Sequence, residues 1–210
     1  MMGEGHGCSD AELLASYEGF ELFPLVVRLL AGGEPVDLDA LAELAGWPVG
    51  DIEALARSQA GAEWDGDGRL VGFGLILRPT AHRFTVGGRT LYTWCPADTL
   101  MFTMILAEQA VAESTCPVTG EAIRVELSRQ SLVSLSPPTA VITQRLGFEP
   151  VGDLRTEVCD HGLFFASPAA ASGWAAEHPD GEVLSVAEAF DRSRATCEAL
   201  GWLDTNRTEQ

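Results

Sequence analysis

The segment Trp-Cys-Pro-Ala-Asp at residues 94–98 carries a thiol and a carboxylate that could do proton-transfer and metal chemistry. Proline is favoured at the first position of a helix, and an apolar run begins just after Pro96. A helix is therefore predicted to start there, with Cys95 as its N-cap residue. Asp98 stands where the acid of a capping box reaches back to the N-cap residue. The thiol and the carboxylate are predicted to be neighbours.

The pair formed by Cys95 and Asp98 has two interpretations. A thiol at a helix N-terminus faces unpaired N–H groups and the positive end of the helix dipole, so we expect a lowered pKa for Cys95. A carboxylate beside a thiolate raises the pKa of at least one of them, which suits a group that carries protons near neutral pH. Alternatively, Cys95 is a small buried apolar residue and Asp98 an ordinary first-turn acid. Residues 94–100 alone leave both interpretations open.

A second cysteine, Cys159, lies in the segment 157–167, which is predicted to be a strand running into an aromatic core. Consecutive residues of a strand point to opposite faces, so Cys159 and His161 are expected to share a face that Asp160 does not. These three residues cannot all converge on one ligand. Taken by itself, Cys159 is better explained as a core cysteine.

Five cysteines, an odd number without a Cys-x-x-Cys pair, indicate free thiols in a reducing compartment rather than a disulfide framework. Cys116 lies in a turn with proline and glycine that leads into a strand, where a structural role is favoured. Cys8 belongs to the N-terminal tail. Cys197 lies on a C-terminal helix, at a spacing that puts it on an apolar face with Phe190 and Leu200.

The composition excludes several classes of protein. With 210 residues, 46% of them hydrophobic, the chain can bury one sizeable core. A formal net charge of −18 makes binding to a phosphate backbone costly, so no nucleic-acid partner is expected. No apolar stretch reaches the roughly 20 residues of a bilayer span, and the acidic N-terminus is unlike a signal peptide. We expect a cytoplasmic protein without a membrane partner.

Common catalytic motifs are absent from the sequence. There is no phosphate-binding Gly-x-x-x-x-Gly-Lys loop, no Gly-x-Ser-x-Gly elbow and no His-Glu-x-x-His helix. The four histidines are scattered, which argues against a histidine-rich zinc site. The Asp-Gly-Asp-Gly run at 65–68 lacks the glutamate and the spacing of an EF-hand, so it is predicted to be a plain turn.

The elements that precede the Cys95 segment suggest a small helical module. Apolar residues at helical spacing from Phe20 predict a helix that ends at Gly32 and Gly33. Two short helices over 37–46 and 51–59, joined by a turn with glycine, form the arrangement of a helix-turn-helix.

Strands predicted at 69–77 and 82–86 extend this arrangement to a winged helix. The second helix offers two acids against Arg57, so we favour a structural or dimerising role over DNA binding.

The second half of the chain mixes helices and strands, which makes the fold class α+β: a winged-helix-like module packed on a mixed α/β catalytic core with antiparallel strands. We expect an apolar helix after Cys95, strands around 122–127, 140–143 and 158–166, and helices beginning near Pro168 and Ser185. The predicted domains are a flexible tail and lead-in (1–19), the winged-helix-like module (20–88), the catalytic core (89–204) and a C-terminal tail (205–210).

Four ordered blocks resemble the organomercurial (alkylmercury) lyase family, and the resemblance covers about residues 22–190. The blocks are Asp-Gly-Asp-Gly-Arg-Leu-Val-Gly-Phe-Gly-Leu at 65–75, Leu-Tyr-Thr-Trp-Cys-Pro-Ala-Asp-Thr-Leu at 91–100, Cys-Pro-Val-Thr-Gly at 116–120, and Cys-Asp-His-Gly-Leu-Phe-Phe-Ala-Ser at 159–167, with Trp174 after it. By motif, the catalytic cysteines and aspartate of the family fall on Cys95, Cys159 and Asp98, and a structural cysteine falls on Cys116. Asp160 stands where some members carry a second consecutive cysteine, so an auxiliary thiol is missing there.

The resemblance implies cleavage of a carbon–mercury bond by protonolysis. Cys95 and Cys159 would bind the mercury of an organomercurial as thiolates, because soft sulfur ligands prefer soft cations. Asp98 would carry a proton from thiol to carbon and is a candidate third ligand. No cofactor is implied, since the substrate brings the metal. Release of mercuric ion would need cellular thiols or a mercuric reductase as acceptor.

Two alternatives belong to other functional classes. A thiol-based sensor of mercury or another soft metal would use the helix-turn-helix on DNA, but the acidic second helix counts against it. A sequestering protein that has lost turnover would have no need of the proton donor that Asp98 provides.

Overall fold

Short helices form the N-terminal part of the chain in the computed structural model, which describes residues 9–145 and 152–203. They are α1 (Asp10–Ala15), a 3-10 turn (Phe20–Leu22), α2 (Phe23–Leu30), α3 (Leu38–Ala45) and α4 (Val49–Ser58). As predicted, the helix that follows Phe20 ends just before Gly32. Gly46 ends α3 with a left-handed φ of 68°, a conformation that glycine adopts without cost. The helix-turn-helix of the sequence analysis is therefore formed.

The lead-in before Phe20 differs from the flexible segment that we expected. Ser9 and Glu12 form a capping box at the start of α1. Asp10 makes an ion pair with Arg192 at 2.7 Å, which ties α1 to the C-terminal helix. The lead-in is thus ordered by a cap and a long-range ion pair, while residues 1–8, with Cys8, lie outside the described part.

An eight-stranded antiparallel sheet follows, with strand order β1-β2-β3-β5-β4-β6-β7-β8. Its strands are β1 (Glu63–Trp64), β2 (Leu70–Phe73), β3 (Leu75–Ile76), β4 (His82–Val86), β5 (Arg89–Thr93), β6 (Ala110–Thr115), β7 (Ala122–Leu127) and β8 (Leu132–Ser136). The single strand predicted over 69–77 is wrong in detail, because Gly74 takes a φ of 73° and reverses the chain between β2 and β3. The turn at 65–68 is confirmed by Asp65, whose carboxylate accepts the N–H groups of Asp67 and Arg69.

The sheet continues across the proposed domain boundary at residue 88. Strands β4 and β5 pair as a hairpin on either side of it, in the register Val86 opposite Arg89. The division at 88 stays a prediction, and strands from both sides of it share one sheet.

Helix α5 (Pro96–Leu106) begins where the sequence predicts and is buried on most of its surface. It contacts α2 and the sheet as well as α8 (Val186–Ala199). A helix that is apolar nearly all round needs such a position. Its first turn, with Cys95 and Asp98, is therefore held inside the protein.

A second, three-stranded antiparallel sheet completes the fold, with order β10-β9-β11. Its strands are β9 (Val141–Arg145), β10 (Phe164–Phe165) and β11 (Gly181–Ser185), accompanied by helices α6 (Leu154–Glu157) and α7 (Ser172–Glu177). Ser185 caps α8, as its predicted start requires. The helix expected near Pro168 begins later, at Ser172.

The long strand predicted over 158–166 is wrong. Cys159–His161 is a 3-10 turn, and only Phe164 and Phe165 are extended and paired, with β9. The expectation that Cys159 and His161 share one face of a strand is therefore also wrong. None of the helices within 9–145 and 152–203 is long and apolar enough to cross a membrane.

Candidate active site

The fold brings together the two cysteines and the aspartate that the sequence analysis singled out. One ligand atom each from Cys95, Asp98 and Cys159 lies within 4.8 Å of the others. All three residues are more than nine-tenths buried. Among the described residues, this is the only group of three or more Cys, His, Asp or Glu side chains placed to hold one metal ion.

Cys95 and Asp98 form the capping box that the sequence predicts at the start of α5. The backbone N–H of Cys95 donates to Asp98 Oδ2 at 3.1 Å, and the Cys95 side chain accepts from the Asp98 backbone. Cys95 is extended, with φ −142° and ψ 169°, as an N-cap residue should be. The helix start therefore fixes the carboxylate beside the thiol.

Cys159 reaches this pair through a compact turn that follows α6. The Asp153 side chain caps α6 by accepting the N–H groups of Arg155 and Thr156. Gly162 closes the turn by donating its N–H to the Cys159 carbonyl at 2.8 Å. A Cβ on Gly162 would lie 3.0 Å from Cys95 Cβ, so the turn packs directly against the start of α5.

Arg155 links α6 to the segment before Cys95. Its guanidinium lies 5.4 Å from the centre of the Trp94 ring and forms an ion pair with Glu63. Trp94 packs edge-on against Phe73 at 5.3 Å. These contacts hold the turn with Cys159 against the strand that delivers Cys95.

The pKa values of Cys95 and Cys159 are both raised, contrary to the lowered value that we expected for Cys95. The hydrogen bond from the Cys159 thiol lowers the pKa of Cys95, as do backbone N–H groups, but burial and the Asp98 charge outweigh them. The same hydrogen bond, burial and nearby negative charges raise the pKa of Cys159 well above its usual value. The N-terminus of the helix does favour the thiolate of Cys95, as predicted. This helix end is buried beside a carboxylate, however, and both conditions raise the pKa of a thiol.

Burial raises the pKa of Asp98 to about 7, against hydrogen bonds from Cys95 and the Trp94 backbone that lower it. The pKa of this carboxyl group is thus near neutral, but burial raises it and not the neighbouring sulfur, whose hydrogen bond lowers it. A carboxyl group with such a pKa can both accept and return a proton under physiological conditions.

The three groups open onto a cavity of about 90 Å³. Its wall is mainly apolar, formed by Leu13, Leu14, Phe20, Phe23, Met101 and Val158. Helix α1 contributes two of these side chains, so the ordered lead-in is part of the cavity. An apolar wall suits a hydrocarbon group and strengthens the electrostatic interactions of the site by excluding water.

A buried histidine that the sequence analysis passed over supports this geometry. The His82 side chain, 3% exposed, hydrogen-bonds the Gly162 backbone, and its Nδ1 lies 3.2 Å from Ser114 Oγ. Burial lowers the pKa of His82 to about 4. The only local signal is the alternation that puts His82 on the buried face of β4, and the pairing with Gly162 spans 80 positions (162 − 82).

The remaining predicted residues lie away from the three-residue cluster. The Asp160 side chain is 51% exposed and lies 3.7 Å from Arg155. His161 packs against His178, with ring centres 5.3 Å apart. Cys197 is fully buried, on the same face of α8 as Phe190, and burial raises its pKa to about 12.

Cys116 is buried in its predicted turn, and its sulfur is surrounded by donors. Burial raises its pKa, but hydrogen bonds from the Thr119 hydroxyl and from the backbones of Ala166, Thr119 and Val118 together lower the pKa below its usual value. The bond from Ala166 ties the turn to the residue after β10. This arrangement agrees with a structural role.

Two family models together match most of the chain. The model described as alkylmercury lyase matches residues 75–198, and the model described as the helix-turn-helix domain of alkylmercury lyase matches residues 10–74. The two matches meet at Gly74, the residue that reverses the chain between β2 and β3.

Curated relatives and a solved structure are similar along most of their length. An alkylmercury lyase from Bacillus cereus is 41% identical over 173 residues, covering 82% of this chain and 79% of the relative. One from Streptomyces lividans is 37% identical over 180 residues, covering 86% and 83%. The crystal structure of the mercury-bound form of MerB2 superposes with a TM-score of 0.72 at 26% identity, covering 90% of this chain and 95% of that one.

Proposed function

Since the chain belongs to the alkylmercury lyase family, we propose that Cys95, Cys159 and Asp98 carry out the cleavage of the carbon–mercury bond. The observation that carries this assignment is the convergence of two sulfurs and one carboxylate within 4.8 Å in a buried, mainly apolar cavity. The family match covers the whole region that supplies these residues.

Substrate binding begins with the thiol that loses its proton more readily. The Cys159 thiol donates a hydrogen bond to the Cys95 sulfur, which stabilises a thiolate on Cys95. This thiolate attacks the mercury of R–Hg–X, a sulfur–mercury bond forms, and the ligand X leaves with one thiol proton. Soft thiolate sulfur prefers the soft mercury cation to nitrogen or oxygen ligands.

Cleavage follows when the second sulfur joins the same mercury. The Cys159 proton passes to Asp98, and a second sulfur–mercury bond forms, which loads electron density onto the metal and weakens the carbon–mercury bond. Asp98 then returns the proton to carbon, whose bonding pair becomes a C–H bond. The balance is R–Hg–X plus two thiols giving R–H, HX and mercuric ion held by two sulfurs.

No further cofactor takes part in this scheme, because mercury arrives with the substrate and the proton comes from a thiol. We propose that cellular thiols or a mercuric reductase then remove the mercuric ion by ligand exchange. The four cysteines of the described residues are free thiols, which is consistent with a reducing compartment such as the cytoplasm.

The direct test incubates the purified protein with phenylmercury and excess thiol and measures benzene by gas chromatography. We expect catalytic benzene formation by the wild type. The Asp98→Ala variant should bind phenylmercury stoichiometrically and cleave it far more slowly. Benzene at the wild-type rate from this variant would remove Asp98 from the mechanism.

Single variants Cys95→Ala and Cys159→Ala, with Cys197→Ala as the matched control, separate the two sulfurs from other buried thiols. Both site variants should lose cleavage, whereas the control should keep it. A folded wild type that binds one equivalent of phenylmercury without releasing benzene would favour the sequestering alternative instead.

A further inference from the structure

One part of the cavity wall is polar, unlike the rest. Gln144 on β9 and Ser193 and Thr196 on α8 all line the cavity that contains Cys95 and Cys159. Each of the three is more than nine-tenths buried. Ser193 and Thr196 are three residues apart on a helix, so they lie on one face, the face that also buries Phe190 and Cys197.

One of these side chains has hydrogen-bonding capacity that the described part of the protein does not use. Gln144 Nε2 is buried and has no hydrogen-bond partner in the described part of the chain. Buried polar groups in native proteins are nearly always paired, and an unpaired donor costs free energy. This unpaired amide, beside two hydroxyls in one cavity, indicates that something which occupies the cavity completes its hydrogen bonds.

The available groups favour an oxygen acceptor. A glutamine amide and two hydroxyls can all donate hydrogen bonds. Arg192 and its ion-pair partner Asp10 also line this cavity, and Glu182 pairs with the same guanidinium. A carboxylate accepts several hydrogen bonds at once and binds such donors more strongly than a neutral group does.

We infer that Gln144, Ser193 and Thr196 form a subsite for an oxygen-bearing organic group of the substrate, with a carboxylate as the best-fitting group. This inference rests on the proposed function, since it assigns the organic part of an organomercurial to a place in the cavity. The chain then favours organomercurials that carry a carboxylate over purely hydrocarbon ones with the same ring.

The test compares kcat/KM for 4-carboxyphenylmercury with kcat/KM for phenylmercury. Gln144→Leu removes the amide at nearly constant size and should lower this ratio by about tenfold, the effect of losing one hydrogen bond to a charged group. Met101→Leu changes the apolar wall instead and serves as the control. It should affect both substrates in parallel and leave the ratio unchanged.

A second variant keeps the test decisive if Gln144→Leu does not fold. The double variant Ser193→Ala, Thr196→Val should also lower the ratio by about tenfold. A ratio that stays within about twofold of the wild-type value in every folded variant overturns the inference and leaves the polar wall to bound water.

Failure of the proposed function has a different signature. A wild type that cleaves neither substrate defeats the proposed chemistry, yet the subsite can still be measured by competition. The two mercurials compete for a limiting amount of protein, and mass spectrometry gives the relative occupancy. If the wild type captures more 4-carboxyphenylmercury than phenylmercury and Gln144→Leu does not, the subsite is supported without any turnover. If the two proteins capture the two mercurials in the same proportion, the inference is overturned.

Discussion

The backbone N–H of Cys95 donates to Asp98 Oδ2 at 3.1 Å, with both residues enclosed by the protein. A capping box normally serves a helix end at the surface, where water solvates the acid. Here the acid is desolvated, and its pKa rises to about 7. One local motif thus positions the carboxylate and tunes it for proton transfer.

This raised pKa predicts that Asp98→Asn stabilises the protein above neutral pH. The folded-state pKa of Asp98 lies above the usual value of 3.8, so the folded state binds more protons and loses stability as pH rises from about 4 to about 7. The full loss at pH 8 is on the order of 4 kcal/mol. The variant should recover a large part of it, measured by urea unfolding at pH 8.

The same measurement near pH 4 provides the control, because Asp98 is then protonated in the folded state and only partly ionised in the unfolded state, so little of the loss has developed. The gain should shrink steadily as pH falls through this window. A variant no more stable than the wild type at pH 8 would contradict the assignment of burial as the cause of the raised pKa.

His82 predicts a pH effect of the opposite sign. Its pKa falls from 6.5 to about 4 on folding, so the unfolded state binds more protons between these values and stability is lost as pH falls from about 6.5 to 4. The loss amounts to about 3 kcal/mol. His82→Leu should be less stable than the wild type at pH 7.5 but should lack this dependence.

Urea unfolding of the wild type and of His82→Leu at pH 7.5 and at pH 5 measures this pH dependence of stability. The difference in free energy of unfolding between wild type and variant should narrow at pH 5. An unchanged difference would mean that His82 takes up its proton equally in the folded and unfolded protein, against the lowered pKa.

The local parts of the site could be predicted from sequence, and the long-range parts could not. Pro96 and the apolar run after it fix the helix start, so the Cys95 and Asp98 pairing follows from neighbouring residues. Cys159 lies 64 positions away (159 − 95), and the pattern around it predicts a strand where the structure has a 3-10 turn. The aromatic residues after it carry a strand-like pattern, but within the segment 158–166 only Phe164 and Phe165 pair with β9.

Desolvation was the other quantity that sequence patterns could not supply. The N-cap position of Cys95 predicts a lowered pKa, and the backbone N–H groups do act in that direction. How deeply a helix end is buried depends on what surrounds it, here the turn at Gly162, which packs against Cys95, and the lead-in, whose Leu13 lines the same cavity. Tertiary packing therefore decides the sign of the shift.

Cys116 is predicted to matter for stability and not for cleavage. Cys116→Ala leaves the backbone N–H groups of Val118, Thr119 and Ala166 without their acceptor and should cost about 1–3 kcal/mol. Cys116→Ser keeps an acceptor and should cost less. Urea unfolding gives both values, and benzene release per folded molecule should match the wild type. Loss of cleavage in a stable Cys116→Ser variant would oppose the structural role.

Gly74, at the turn between β2 and β3, contacts the segment that leads into the site, and its replacement by alanine should affect both stability and cleavage. Its carbonyl accepts the Trp94 N–H at 3.0 Å, one residue before Cys95, and its φ is 73°. An alanine Cβ there would lie 2.9 Å from Phe102 and 3.1 Å from Phe23. Gly46 has a similar φ of 68° but open space around it.

Comparing Gly74→Ala with Gly46→Ala therefore separates backbone strain from packing. The left-handed backbone should lower the free energy of unfolding of both variants by about 1–2 kcal/mol. Overpacking should lower that of Gly74→Ala by about 1–3 kcal/mol more. Only Gly74→Ala should also slow phenylmercury cleavage, because Phe23 lines the cavity and Trp94 leads directly into Cys95. Equal losses of stability in the two variants would show that Phe23 and Phe102 move aside freely, and the turn would then have no mechanical connection to the site.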